Sequence, residues 1–267
     1  MKRTTFGPKN TDKITIIGGI HGDEPLTSAV ISYLENTLKH EPLSEDIQIE
    51  LITANEKALA QNQRYIDIDL NRIIKQPNKN ANNHETQLAT KLESQLDTAQ
   101  SILTLHSSQS VPPPFSISSD ITYNKDLLTA LPYNNTVKDT NPGSVEAEYH
   151  TAINVEAGHQ QTNQVFYNGI IAAYTFLTYH NAINLTTINH TPTTVYTTYK
   201  TLEKTHGTPK TYYKNFEQIP KGELIAEDDG IKHTATEANL TPILLSETGY
   251  QHQFGLLGKK ETTLNTS

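Results

Sequence analysis

Short apolar runs and helical stripes alternate along the first 190 residues of the chain. Lys13–Gly18 (KITIIG) reads as a short buried-strand run and ends in a Gly-Gly-Ile-His-Gly turn. Glu24–Lys39 then sets Leu26, Val30, Tyr33, Leu34 and Leu38 on one helical face. Ile47–Ala54 (IQIELITA) alternates as a strand. His84–Ala99 carries Leu88, Leu92 and Leu96 at helical spacing under a polar face. Ser101–His106 (SILTLH) and Ala152–Glu156 (AINVE) are further strand runs, and Gln161–Asn181 is a long, largely buried helix. Alternation of this kind predicts an α/β layer built on a mostly parallel or mixed sheet.

The pattern changes near 184–194, where NLTTINHTPTT is polar and has no helical period. Short β-rich pieces follow at Thr193–Lys200, Tyr212–Phe216, Glu223–Ala226 and Pro242–Leu245, separated by turn signals such as IPKG and EDDG. The chain therefore divides, as an expectation, into an α/β unit over residues 1–190 and a smaller β-rich unit over 191–267.

The 267 residues suffice for a large core in either unit. A net charge of −8 argues against nucleic acid as the main partner, because phosphate binding needs a basic surface. The chain has no cysteine, so neither a disulfide scaffold nor a thiolate metal site can form. The N-terminal MKRTTFGPKNTDK has no apolar stretch of the secretory type, and no apolar run is long enough to span a bilayer. The expectation is a cytoplasmic protein that acts on a small molecule, with no membrane or nucleic-acid partner.

Three strand ends carry residues suited to metal or acid–base chemistry. The first gives His21 and Glu24 in GGIHGDEP, the second His106 in LHSS, the third Glu156 in NVEAG. In open α/β sheets, ligands collect at the carboxyl ends of strands. Two imidazoles and a carboxylate with an open fourth position form a known catalytic zinc ligand set. Taken singly, each residue has a plainer reading: H-x-x-E is common by chance, His106 could sit polar at a sheet edge, and Glu156 could be a satisfied structural carboxylate. Their joint placement carries the weight. The arginines add to it. The chain has 18 lysines and three arginines, Arg3, Arg64 and Arg72, and the last two bracket the segment RYIDIDLNR. Arginine offers a planar fork that grips an oxyanion or carboxylate in fixed geometry, which lysine does not. Between them, Asp69 is placed to orient a ligating histidine, and Asp67 reads as a turn cap.

GGIHGDEP, RYIDIDLNR, LHSS and NVEAG, in that order, resemble the motifs of the succinylglutamate desuccinylase/aspartoacylase family of zinc carboxypeptidase-like hydrolases. RYIDIDLNR and the C-terminal ETGY look most like the aspartoacylase branch. The resemblance runs from about Ile14 to Tyr250 and is weak over 110–150 and 184–212. It implies a mixed-sheet α/β catalytic domain with a smaller C-terminal β domain. It implies one zinc per chain, held by His21, Glu24 and His106. Glu156 would be the general base and acid for attack of a zinc-bound water on the acyl carbonyl. Arg64 would stabilise the oxyanion, Asn71 and Arg72 would bind the substrate carboxylate, and Tyr250 would close the pocket. The substrate would be a small N-acyl amino acid.

One position departs from the family. Aspartoacylases hold the aspartate side chain with an arginine upstream of the catalytic glutamate, and by spacing that position falls near Glu146. No arginine follows Arg72. Lys138, His150 and His159 are the nearest substitutes, each reading more simply as a surface residue. Two other functions fit the same motifs: a carboxypeptidase-like hydrolase of short peptide amides, and a binding protein that keeps the fold without turnover. Retention of Glu156 speaks against the second, since a binder needs no general base. The acyl group, the amino acid and the oligomeric state, a homo-oligomer included, are not written in the sequence.

Overall fold

The computed structural model describes residues 1–9, 11–77, 82–138, 141–185 and 188–265. Its first part runs β1 (Lys2–Phe6), β2 (Asp12–Gly18), α1 (Pro25–Thr37), β3 (Ile47–Thr53), α2 (Glu56–Gln61), α3 (His84–Leu96) and β4 (Ser101–Ser108). The middle holds β5 (Phe115–Ser118), α4 (Lys125–Ala130), β6 (Asn135–Lys138), α5 (Val145–Glu148), β7 (Ala152–His159) and α6 (Gln164–Tyr179). Then come β8 (Thr193–Glu203), β9 (Lys210–Thr211), β10 (Leu224–Glu227), β11 (Lys232–Thr234), β12 (Leu240–Ile243) and β13 (Gln253–Leu264).

Ten of these strands form one mixed sheet in the order β1-β3-β2-β4-β7-β5-β6-β8-β13-β12. β3, β2, β4 and β7 run parallel, so Gly18, His106 and Glu156 reach the same end of the sheet. β5 turns antiparallel against β7. β9, β10 and β11 form a separate small antiparallel sheet. β8, β12 and β13, all from beyond residue 190, continue the large sheet through β6.

Period-two alternation sends neighbouring residues to opposite faces. Ile14, Ile16, Leu103 and Leu105 pack on one face against Val30 and Leu34 of α1 and Phe176 and Leu177 of α6. Ile17, Ile52 and Ile102 pack on the other face against Leu88, Leu92 and Leu96 of α3. The result is a helix–sheet–helix sandwich around the parallel strands. Helix α1 starts with Pro25, whose fixed φ suits a first helical position. Glu24 precedes it, and its side chain makes no capping bond, leaving the carboxylate free for another role.

Two sequence expectations need correction. Tyr33 shares the α1 stripe but is 40% exposed, resting edge-on against Phe166. Tyr212–Phe216 forms a turn instead of a strand: Phe216 has φ +64°, and its ring packs edge-on against Phe115 and at a tilt against Tyr196. Among the described residues no helix is long and apolar enough to cross a membrane.

Candidate metal-dependent active site

β2 ends in a turn that has no room for side chains. At Gly22 a Cβ would lie 2.1 Å from the backbone of Ala58 in α2. The Gly22 N–H donates to the Arg64 carbonyl at 3.2 Å, so the histidine turn and the arginine segment are pinned together. This brings His21 and Glu24 under β4, where His106 emerges. The ligating atoms of His21, Glu24 and His106 lie within 4.8 Å of one another, and all three residues are buried.

Each member of the group is held by others. Glu24 Oε1 is 2.8 Å from His21 Nδ1, and its Oε2 accepts the Ser107 N–H at 2.7 Å and lies 3.5 Å from His106 Nδ1. His21 Nε2 sits 3.0 Å from Asp69 Oδ1. The other Asp69 oxygen takes Arg64 Nε and a terminal nitrogen of the same guanidinium, both at 3.1 Å. Asp69 therefore orients a histidine and an arginine at once, as the sequence suggested for the histidine. Asp67 caps: its carboxylate accepts the His84 N–H at the start of α3. The donor set fits a zinc ion, with two imidazoles and a carboxylate clustered in a buried site. His106 Nε2 is buried with no hydrogen-bonding partner in the protein.

Burial and charge shift the titration of these groups. Burial opposes ionisation of Glu24, but His21 and His106 outweigh it and hold the carboxyl far below its usual range. Burial likewise disfavours a charged His21, yet Glu24 and Asp69 overcome it and push the imidazole up to about 9. Asp69 is held well below the carboxylate range: burial is overridden by His21 and the two arginines. Glu156 goes the other way. Burial, helped by Glu24 and Glu146, pushes it up to about 7 against the pull of the two histidines.

Glu156 is the register partner of His106 across β4 and β7, and its Oε2 is buried without a partner. Both residues line a cleft of about 700 Å³ that also takes in Arg64, Asn71, Arg72 and Tyr250. Every sequence-predicted site residue thus borders one cavity. Asn71 is buried, and its Oδ1 accepts the Val145 N–H at 3.0 Å, docking α5 onto the arginine segment. Arg72 donates to the Asn71 carbonyl at 2.7 Å. Gly143 is the second position where only glycine fits, with φ +85° and a Cβ that would fall 2.1 Å from the Arg72 oxygen. Burial, with Glu156 next, raises the Tyr250 phenol above its usual value.

Several residues at the site carry no sequence signal of their own. Glu85, fully buried, accepts from Asn55 Nδ2 at 2.9 Å and from the backbone N–H groups of Ile66, Asp67 and Ile68 at 2.7, 2.9 and 3.3 Å. It clamps the loop that carries Arg64 and Asp69, yet in sequence it is one more acid in a helical first turn. Asn154, buried in the cleft wall, could have been read from its place two residues before Glu156 on the same strand face. Glu146 lines the cleft as well. Lys138 does not: it lies 3.9 Å from Glu261 near the surface. His150 and His159 are also outside the cleft lining.

The large sheet and the strand-end His–Glu–His group define a mixed α/β architecture with a candidate metal site. Residues 10–111 match the model of the succinylglutamate desuccinylase/aspartoacylase catalytic domain. A succinylglutamate desuccinylase/aspartoacylase from Rhodobacter sphaeroides has the same fold, with TM-score 0.76 and 15% identity, over 97% of this chain and 88% of that one. The ectoine utilization protein EutE (DoeB) from Ruegeria pomeroyi, in a product-bound structure, gives 0.75 and 15% over 97% and 87%. Murine aminoacylase 3 gives 0.73 and 17% over 97% and 98%. No curated protein sequence matches the chain. The family-model match covers residues 10–111, and the solved structures share the fold across nearly the whole chain. Desuccinylases and an aminoacylase stand equally near, so the expected leaning to the aspartoacylase branch is not resolved.

Proposed function

We propose that the protein is a zinc-dependent amidohydrolase that removes the acyl group from a small N-acyl amino acid. His21, Glu24 and His106 would hold one zinc per chain. Bound there, such an ion would supply Lewis-acid activation of water and of the acyl carbonyl near neutral pH. The remaining chemistry falls to the chain's own side chains. Glu156 takes a proton from the attacking water and passes it to the leaving nitrogen. Its buried, unpartnered oxygen beside His106 is the observation that carries the reading, because a carboxyl raised to about 7 can both accept and donate a proton near neutrality.

Arg64 lies beside the metal-type cluster, with one edge of its fork fixed by Asp69 and a nitrogen 3.7 Å from Glu24. Its place suits a negative charge that develops on the acyl oxygen, where one donor is worth about 3–4 kcal/mol. Asn71 and Arg72 are assigned to the free carboxylate of the amino acid. Residues 191–267 are assigned as the cap, supported by Thr201, Ile243, Leu244, Tyr250 and Leu256 in the cleft wall. The cleft volume suits a small acylated amino acid.

Glu156→Gln keeps size and hydrogen bonding and removes the proton acceptor. Turnover of N-acyl amino acids by the zinc-loaded variant should fall by about a hundredfold or more, with zinc content unchanged. A variant that hydrolyses at the wild-type rate would make Glu156 structural and end this mechanism.

A further inference from the structure

We propose that Glu146 sets the specificity of the cleft and selects N-acyl amino acids whose side chain ends in a cation, an ammonium or guanidinium group. The proposal deepens the deacylase reading and rests on it.

Glu146 is 4% exposed, lines the cleft and has an Oε2 with no hydrogen-bonding partner. Other carboxylates buried as deeply are compensated. Glu50 meets Lys13, Arg3 and Thr15. Glu85 meets four N–H groups, and Glu24 meets two histidines and the Ser107 N–H. Glu156 shares the unpartnered state, but its neighbour is the metal-type cluster and its task is the proton. Among the described residues Glu146 makes no ion pair and belongs to no metal-type cluster. A buried carboxyl oxygen left without a donor is costly unless a ligand supplies one.

The position of Glu146 fits a substrate side chain. It follows Val145, whose N–H is held by Asn71 Oδ1, and so it stands next to the Asn71–Arg72 end assigned to the α-carboxylate. Its own backbone carbonyl is taken by Ser119, which fixes the helix turn that presents the side chain. The Asn154 amide oxygen in the same cleft wall is also buried without a donor. These oxygens accept and do not donate, and the complementary group is one that donates only: an ammonium with its three N–H bonds, or a guanidinium. A carboxylate there would meet Glu146 and no lysine, and the two arginines in the cleft lining, Arg64 and Arg72, are assigned to other roles. The net charge of −8 would also raise the local concentration of cationic ligands.

The test compares Nα-acetyl-ornithine, N-acetylnorleucine and N-acetylaspartate, whose side chains are similar in size and differ in charge. With zinc-loaded protein, kcat/KM should favour ornithine over norleucine by about tenfold or more, with aspartate last. In Glu146→Gln the ornithine-to-norleucine ratio should fall to about one. Equal rates on ornithine and norleucine in the wild type, or a preference that survives Glu146→Gln, would overturn the assignment. Calorimetric binding of free ornithine and norleucine reads the subsite without turnover. Tight ornithine binding lost in Glu146→Gln, together with no hydrolysis of any acyl derivative, would uphold the subsite and sink the deacylase reading. Absence of ornithine binding in the wild type would sink the subsite.

Discussion

Glu85 lies away from the cleft lining yet supports the loop that carries Arg64, Asp69, Asn71 and Arg72 to it. Glu85→Ala removes the acceptor for Asn55 Nδ2 and for the N–H groups of Ile66, Asp67 and Ile68. Bonds to a charged group contribute about 1.5–3 kcal/mol each. Asp67 and Ile68 are exposed, so water can take over part of their hydrogen bonding. The expected loss of stability is therefore roughly 3–5 kcal/mol, below the sum of the separate bonds. For a chain of this size that lowers Tm by about 8–15 °C. The carboxyl is held below its usual range because the N–H and amide bonds outweigh burial. Its contribution is present above the unfolded carboxylate value, about 4.3, and is lost as pH falls through the lower folded value. Thermal melts of wild type and variant between pH 7 and pH 3 should converge at the acid end. Activity should suffer beyond stability, because Arg64 and Asp69 ride on the released loop. Measured well below the variant's Tm, kcat/KM should drop by about tenfold or more. A stability change under about 1 kcal/mol, or unchanged kinetics in the folded variant, would refute the clamp.

Elemental analysis of protein purified without chelator should find about one zinc per chain; content that survives both His21→Ala and His106→Ala would exclude the site. Arg64→Ala should lower kcat strongly, since an oxyanion exists only near the transition state. Arg72→Ala should mainly raise KM, since the carboxylate is bound throughout; identical effects from the two variants would remove the division of labour between them.

The parallel half of the sheet was legible because its strands are short runs rich in Ile, Leu and Val and its helices carry apolar stripes. β2, β3, β4 and β7 fall within a few residues of their expected ends. The candidate metal ligands and Glu156 could be picked out for a related reason: they sit at or just past the ends of those runs. Residues 110–150 were opaque. β5, β6 and α5 are four residues each, too short to show a period, and their places are set by neighbours. Glu146 could be placed by spacing alone, but only the packing of α5 against Asn71 turns it to the cleft. β13 was hidden differently: its outer half, KKETTL, is polar because it is half-exposed, although it pairs along its length with β8. The Tyr212–Phe216 stretch misled because its aromatic pattern mimics a strand, while Phe216 serves as a plug against Phe115.

The strand pairing also sets an order of events during synthesis. The metal-type ligands are complete once residue 106 has left the ribosome, and β2, β3 and β4 already pair among themselves. Glu156 follows some fifty residues later on the next strand, and the cleft wall around Tyr250 comes last. Domains form in the order they are made, and metal binding contributes to folding free energy. Under the proposed assignment, a nascent chain of this protein would complete its candidate metal ligands before it gains the proposed base on β7, and before the wall around Tyr250 closes the cleft.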